Sequence, residues 1–160
     1  MRNYDFRPLT AADLPLVARW LSQAHVRMFW PDSVKQLMMM EQDLNNSQMD
    51  MRLVTLNGRA FAYIHDHDAR AFAMPQFADL PARARVIATF VGDSDFAGQD
   101  HAVAYLTARL RDWRQKFPMA AVGPQSGDIR AITTYTKAGF HKRRLAPTKD
   151  GKLVQVMTYL

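Results

Sequence analysis

Cysteine is absent from this 160-residue chain. That excludes a disulfide framework, a thiolate metal site and a cysteine nucleophile. No apolar run reaches the length needed to span a bilayer, so no membrane association is expected. The start, Met1-Arg2-Asn3-Tyr4-Asp5, opens into strand-like sequence without a secretory leader, and a cytoplasmic location is expected. Long blocks of like charge are missing too. The formal charge of +6 would attract anions, but the arginines are scattered. The densest cluster is His141-Lys142-Arg143-Arg144. It lacks interleaved aromatics, so nucleic-acid binding is disfavoured. A solvated edge strand carrying protective charge explains it as well. Internal repeats, low complexity and linkers are absent. What remains, 48% hydrophobic and 22% charged, fits one globular domain over residues 1–160 with a sizeable core.

Residues 4–9 read as a first strand. Thr10 and Asp13 then form a capping-box pair before Leu14, Val17, Ala18 and Leu21, with Pro15 tolerated in the first turn. A second helix starts after Pro31-Asp32-Ser33 and carries Val34, Leu37, Met38 and Leu44. Residues 51–56 and 60–64 read as strands around Asn57-Gly58, a strong hairpin signal. Residues 69–85, with Pro75 and Pro81, read as an irregular excursion. Residues 85–91 form a compact buried strand, 102–113 a helix and 119–122 a short strand. Residues 140–145 and 153–159 form a last strand pair joined near Asp150-Gly151. The order is β-α-α-β-β-β-α-β-α-β-β. The helix between two strands implies a parallel crossover and the hairpins imply antiparallel neighbours, so a mixed α/β sheet is expected.

Residues 128–140 carry the densest local information. Asp128 supplies an N-cap oxygen. Ile129, Ile132 and Tyr135 or Thr136 recur at helical spacing, so one face can bury. Gly139 suits a left-handed C′ position, with Phe140 folding back on Tyr135.

Three stretches taken together resemble the GNAT acyltransferase superfamily, in particular proteins similar to aminoglycoside 6′-N-acetyltransferases. The first is Phe6-Arg7-Pro8-Leu9-Thr10 with Asp13-Leu14-Pro15, Trp20-Leu21, and His25-Val26 before Trp30. The second is Phe90-Val91-Gly92-Asp93 through Phe96-Ala97-Gly98-Gln99. The third is Arg130-Ala131-Ile132 with Tyr135 and Lys137-Ala138-Gly139-Phe140. The resemblance spans nearly the whole chain. It implies a single-domain, mostly antiparallel sheet of six to seven strands with helices on both faces. It also implies an N-acetyltransferase that moves an acetyl group from acetyl-CoA to a small-molecule amine by direct attack.

The resemblance further implies site residues. Acetyl-CoA would lie where strands 85–91 and 119–122 splay apart. Main-chain groups of Ile87, Ala88, Thr89, Phe90 and Val91 would hold its amide arm and polarise the thioester. Gln99, Asp100, His101, Ala102 and Val103 would meet the diphosphate at a helix start. Asp128 and Arg130 would flank the cofactor, and Tyr135 would donate to the leaving sulfur. His25, Trp30 and Asp32 would border the acceptor; capping the second helix explains Asp32 equally well.

The chain departs from the family pattern in two main places, with a lesser change at Asp128, where the family prefers Asn. The diphosphate loop usually carries glycines after the glutamine, where this chain has Asp100 and His101. At about 5 Å, Asp100 would repel a phosphate by on the order of 1 kcal/mol in water-like screening. Protonated His101 could offset part of that, and Asp100 could instead cap the next helix. Relatives often place a base-like Asp where Ala88 stands. His65-Asp66-His67-Asp68 is the substitute to consider, because His65 and His67 share one strand face. Either could act as catalytic base. No third metal ligand follows by spacing, so no metal is expected. A degenerate GNAT module that binds without turnover is the alternative to an enzyme. The basic net charge argues against polycationic aminoglycosides and leaves a metabolite amine, such as a hydroxylamine or siderophore precursor, as acceptor. A homodimer is left open.

Overall fold

A computed structural model of the chain describes residues 3–160. Met1 and Arg2, where the N-terminus was expected to begin without a leader, lie outside the described residues. The strands are β1 (Tyr4–Pro8), β2 (Asp50–Leu56), β3 (Arg59–Asp68), β4 (Arg85–Val91), β5 (Ala120–Val122), β6 (His141–Pro147) and β7 (Leu153–Tyr159). The helices are α1 (Leu14–Leu21), α2 (Ala24–Arg27), α3 (Ser33–Asp43), α4 (His101–Trp113) and α5 (Ile129–Lys137). The seven strands form one sheet in the order β1-β2-β3-β4-β5-β7-β6. β1 and β2 pair antiparallel, β4 and β5 parallel, and β5, β7 and β6 antiparallel. The expected mixed, mostly antiparallel sheet is present. None of the described helices is long and apolar enough to cross a membrane.

The chain forms two compact units. The first takes residues up to His65 together with Thr89–His101. Its core gathers Leu9, Val17, Trp20, Leu21, Val26, Met40, Leu53, Tyr63 and Phe90. Asp13 starts the helical segment: its carboxylate accepts from Thr10 N and from the Arg7 guanidinium. That contact with Arg7 holds the Asp13 carboxyl below its ordinary range. The Asn57-Gly58 hairpin is observed, with φ of 53° and 82°, both in the left-handed region that a type I′ turn demands. At Gly92 an added Cβ would lie 2.1 Å from Trp20 Cδ2, so only glycine lets this indole seat itself.

The second unit takes Asp66–Ala88 and Ala102–Leu160. Its core gathers Phe77, Leu80, Val86, Met119, Ala121, Ala146, Val154 and Val156. α5 ends as its sequence predicts. Phe140 N–H donates to Tyr135 O at 3.0 Å and Gly139 N–H to Thr136 O at 3.1 Å, with Gly139 at φ 107°. These are the paired bonds of a Schellman motif. The Phe140 ring meets Tyr135 edge-on at 5.6 Å. β6 is one of the sheet's two edge strands, and its His141-Lys142-Arg143-Arg144 run is exposed, as an edge strand guarded by charge requires.

Several expectations need correcting. β3 runs through Asp68 instead of stopping at residue 64. A one-turn helix, α2, stands where none was expected. Ile129 is 67% exposed, so the buried face of α5 rests on Ile132 and Tyr135 alone. Val34 and Met38 also face solvent, and α3 buries Met40 instead. Periodicity reveals spacing, but which stripe turns inward depends on tertiary packing.

Candidate active site

In the first unit the predicted residues gather around the end of β4. Phe90 is buried and its ring lies 4.9 Å from Trp30. Trp30 also meets Tyr63 at 6.2 Å and His65 at 6.3 Å, both edge-on. Tyr63 Oη lies 2.7 Å from His65 Nδ1. Burial, with the charge of Asp43, lifts the Tyr63 hydroxyl far above the tyrosine range, so it remains a phenol. Thr89 Oγ1 donates to Tyr63 O at 2.7 Å. His25 is exposed on α2, and its Nε2 lies 2.9 Å from Val91 O. Asp32 caps α3: its Oδ1 accepts from Lys35 N at 3.1 Å.

The loop before α4 has a distinct geometry. Gly98 and Asp100 both hold positive φ, 76° and 58°. Asp100 therefore keeps the left-handed backbone that glycine would adopt, which short polar side chains tolerate best after glycine. Gln99 Nε2 donates to Asp95 O at 2.7 Å. His101 turns inward and is 6% exposed. Its Nδ1 is 2.9 Å from Tyr4 Oη, and its ring packs on Phe96 at 5.0 Å and Phe61 at 5.4 Å.

In the second unit, β5 behaves differently toward its two neighbours. Its register with β4 is Arg85↔Ala120 and Val86↔Ala121. Along β7 it runs from Ala120↔Tyr159 to Val122↔Met157, and the same track continues to a Gln125↔Val154 bridge. β5 thus stays with β7 after its register with β4 has ended. Ile87 is buried and Ala88 half-buried just past that point. Ala102 and Val103 are half-buried in the first turn of α4. Asp128 caps α5 by accepting from Ala131 N at 3.1 Å, and burial raises its carboxyl above the usual range. Arg130 is exposed. Tyr135 is buried, which together with Tyr105 and Asp128 pushes its hydroxyl up beyond ionisation at neutral pH. His67 is buried edge-on against Phe72 at 4.8 Å, and its Nδ1 donates to Asp68 O at 2.9 Å. Burial lowers its pKa, so the ring stays neutral.

Sequence reasoning missed two features. Tyr63 reads as an ordinary apolar strand position, yet it holds His65. Asp66 is 3% exposed and receives Arg85 through Nε at 2.9 Å and Nη2 at 2.6 Å, with Arg109 Nη2 at 3.5 Å. A signal existed: Arg109 falls on the apolar stripe of α4 that Leu106, Leu110 and Trp113 define. No group of three or more His, Asp or Glu side chains suited to a metal occurs among the described residues.

A family model described as an acetyltransferase (GNAT) domain matches residues 10–147. The chain belongs to the GNAT acetyltransferase family. Solved structures agree on the fold. An uncharacterized protein from Bacillus halodurans superposes with a TM-score of 0.88 at 18% identity, covering 98% of this chain and 83% of that one. The aminoglycoside acetyltransferase AAC(6')-Ib, in a complex that contains acetyl-CoA, gives a TM-score of 0.80 at 19% identity over 98% of this chain and 92% of that one. An aminoglycoside N(6')acetyltransferase from Legionella pneumophila gives 0.81 at 18% identity over 97% and 90%. Comparison with curated protein sequences gives no match. At these identities the GNAT fold is what the structural likeness establishes.

Proposed function

We propose that this GNAT protein, as one domain, transfers an acetyl group from acetyl-CoA to the amine of a small molecule. The observation that carries the reading is β5's divergence: its register with β4 ends at Val86↔Ala121, whereas it follows β7 on to Gln125↔Val154. An extended amide-bearing chain would bind along β4 past that point. The bound AAC(6')-Ib complex, of like fold, supports acetyl-CoA as that ligand.

Acetyl-CoA would supply the activated acyl group. Residues 87–91 would hold its amide arm and polarise the carbonyl by hydrogen bonding. The positive-φ backbone at Gly98 and Asp100 supports a loop in which N–H groups of residues 99–103 would meet the diphosphate. Asp128 and Arg130 would flank the bound molecule. Tyr135, kept protonated by burial, is suited to donate to the departing sulfur.

The test is release of CoA thiol from acetyl-CoA in the presence of amines, spermidine, kanamycin and ethanolamine among them. Turnover with any of them supports the reading, and thiol release that no amine accelerates contradicts it. Tyr135→Phe should then lower kcat by about tenfold or more while acetyl-CoA binding stays within about twofold. An unchanged kcat would remove Tyr135 from the mechanism.

A further inference from the structure

Charge is unevenly shared between the two units. The second holds 14 of the 21 Lys and Arg but 6 of the 15 Asp and Glu. Much of that excess lies on the β6–β7 hairpin. Residues 141–152 carry Lys142, Arg143, Arg144, Lys149 and Lys152 against one carboxylate, Asp150. Arg144 is engaged, donating to Gln76 O and to Asp79 Oδ1. Lys142, Lys149 and Lys152 are exposed.

The strand that carries part of this charge is an edge. β7 pairs with one side of β6, and among the described residues no strand takes the other. His141 through Leu145 are all exposed, so neither face of this stretch is covered. Leu145 stands opposite Gln155 and Pro147 opposite Leu153, so the two leucines share one face. They are 54% and 46% exposed. Proline enters β6 only at its last residue, so residues 141–146 keep every backbone N–H. β1, the opposite edge, differs. It is shorter, ends in Pro8, and its Arg7 is matched by Asp13.

We propose that β6 is a docking edge for an extended acidic segment of another protein. The segment's main chain pairs with the open side of β6, as in strand addition to a sheet. Its carboxylates meet the basic side chains of the hairpin, and an apolar residue between them covers Leu145. Charge decides the occupant. A second copy of this chain would bring one basic strand against another, and the repulsion that guards the edge excludes it. A nucleic acid would answer the charge but leave the amide edge and the leucines unused. An acidic strand uses all three.

The test takes the intact protein and a fluorescein-labelled peptide of 7 residues, the length of β6, that alternates Glu and Leu. Fluorescence anisotropy at low salt, where surface charges are least screened, should show saturable binding. Hydrogen exchange at residues 144–146 should slow at least about tenfold in the complex. Lys142→Glu combined with Lys152→Glu should weaken binding by about tenfold or more. The same peptide N-methylated at alternate residues keeps its charge but cannot form the ladder. It should bind at least about tenfold more weakly. Equal binding of the methylated peptide would overturn strand pairing in favour of charge attraction alone. Tighter binding of single-stranded DNA than of the peptide would give the surface to nucleic acid and overturn the proposal. No change in anisotropy up to about 1 mM peptide would overturn it as well.

Discussion

Polar groups near the core are held in two different ways in the two units. In the first, the partners are neutral: His25 on Val91 O, His65 on Tyr63, His101 on Tyr4 and Thr89 on Tyr63 O. In the second, the central buried polar group is an ion. Asp66 is gripped by Arg85 and Arg109, with Arg85 lying over Phe117 and Arg109 over Trp113. A neutral partner orients a ring without consuming a charge. An ionic cluster consumes the charges it buries and serves the fold. The contrast explains why we assign no proton transfer to Asp66.

The largest expected effect comes from breaking the ionic cluster. Asp66→Asn would leave two guanidinium groups facing a neutral amide in a buried setting, at a cost of about 3–5 kcal/mol. Urea unfolding measures it, and a loss below about 1 kcal/mol would mean that the cluster is solvated. Next comes the seat of Trp20. Gly92→Ala would place a methyl 2.1 Å from the indole, forcing it to shift at a cost of about 1–3 kcal/mol. The same denaturant titration should show it, and an unchanged midpoint would contradict the close approach.

The second unit should also respond to pH. His67 has a lowered pKa because burial opposes its charge. Above about pH 6.5 the folded and unfolded chains both hold it neutral. Below that, the unfolded chain binds a proton that the folded chain refuses, so stability falls as pH falls. Melting temperatures measured from pH 7.5 to 5.5 should drop in the wild-type chain and drop less in His67→Gln. Parallel curves for the two proteins would refute the assignment. The smallest effect is at the cap of α5. Asp128→Ala should cost about 1 kcal/mol, whereas Asp128→Asn should be nearly neutral, because Asn caps equally well and removes a carboxylate that burial disfavours.

Much of this architecture was legible in the chain because its signals are local. The Asn57-Gly58 turn, the β4 and β7 boundaries, and the Gly139 stop of α5 each depend on residues within a few positions of one another. What escaped depends on distant partners. β3 continues through Asp66 because Arg85 and Arg109, 19 and 43 residues away, neutralise it. A reader of the local sequence sees only a polar strand end. Likewise His65 and His67 look equivalent at a spacing of two. Their surroundings differ, one ring being held by Tyr63 and the other buried against Phe72. Spacing places a side chain on a face but does not say what meets it there. α2 was missed because a single turn carries no periodicity.

Binding of acetyl-CoA tests the central claim most directly. At a concentration about a hundredfold above Kd, a ligand that binds only the folded chain adds about 2.7 kcal/mol of stability. For a chain of this size that is a rise in melting temperature of roughly 5–10 °C. The account predicts such a rise with acetyl-CoA and a comparable one with CoA. An unchanged melting temperature at millimolar acetyl-CoA would contradict it.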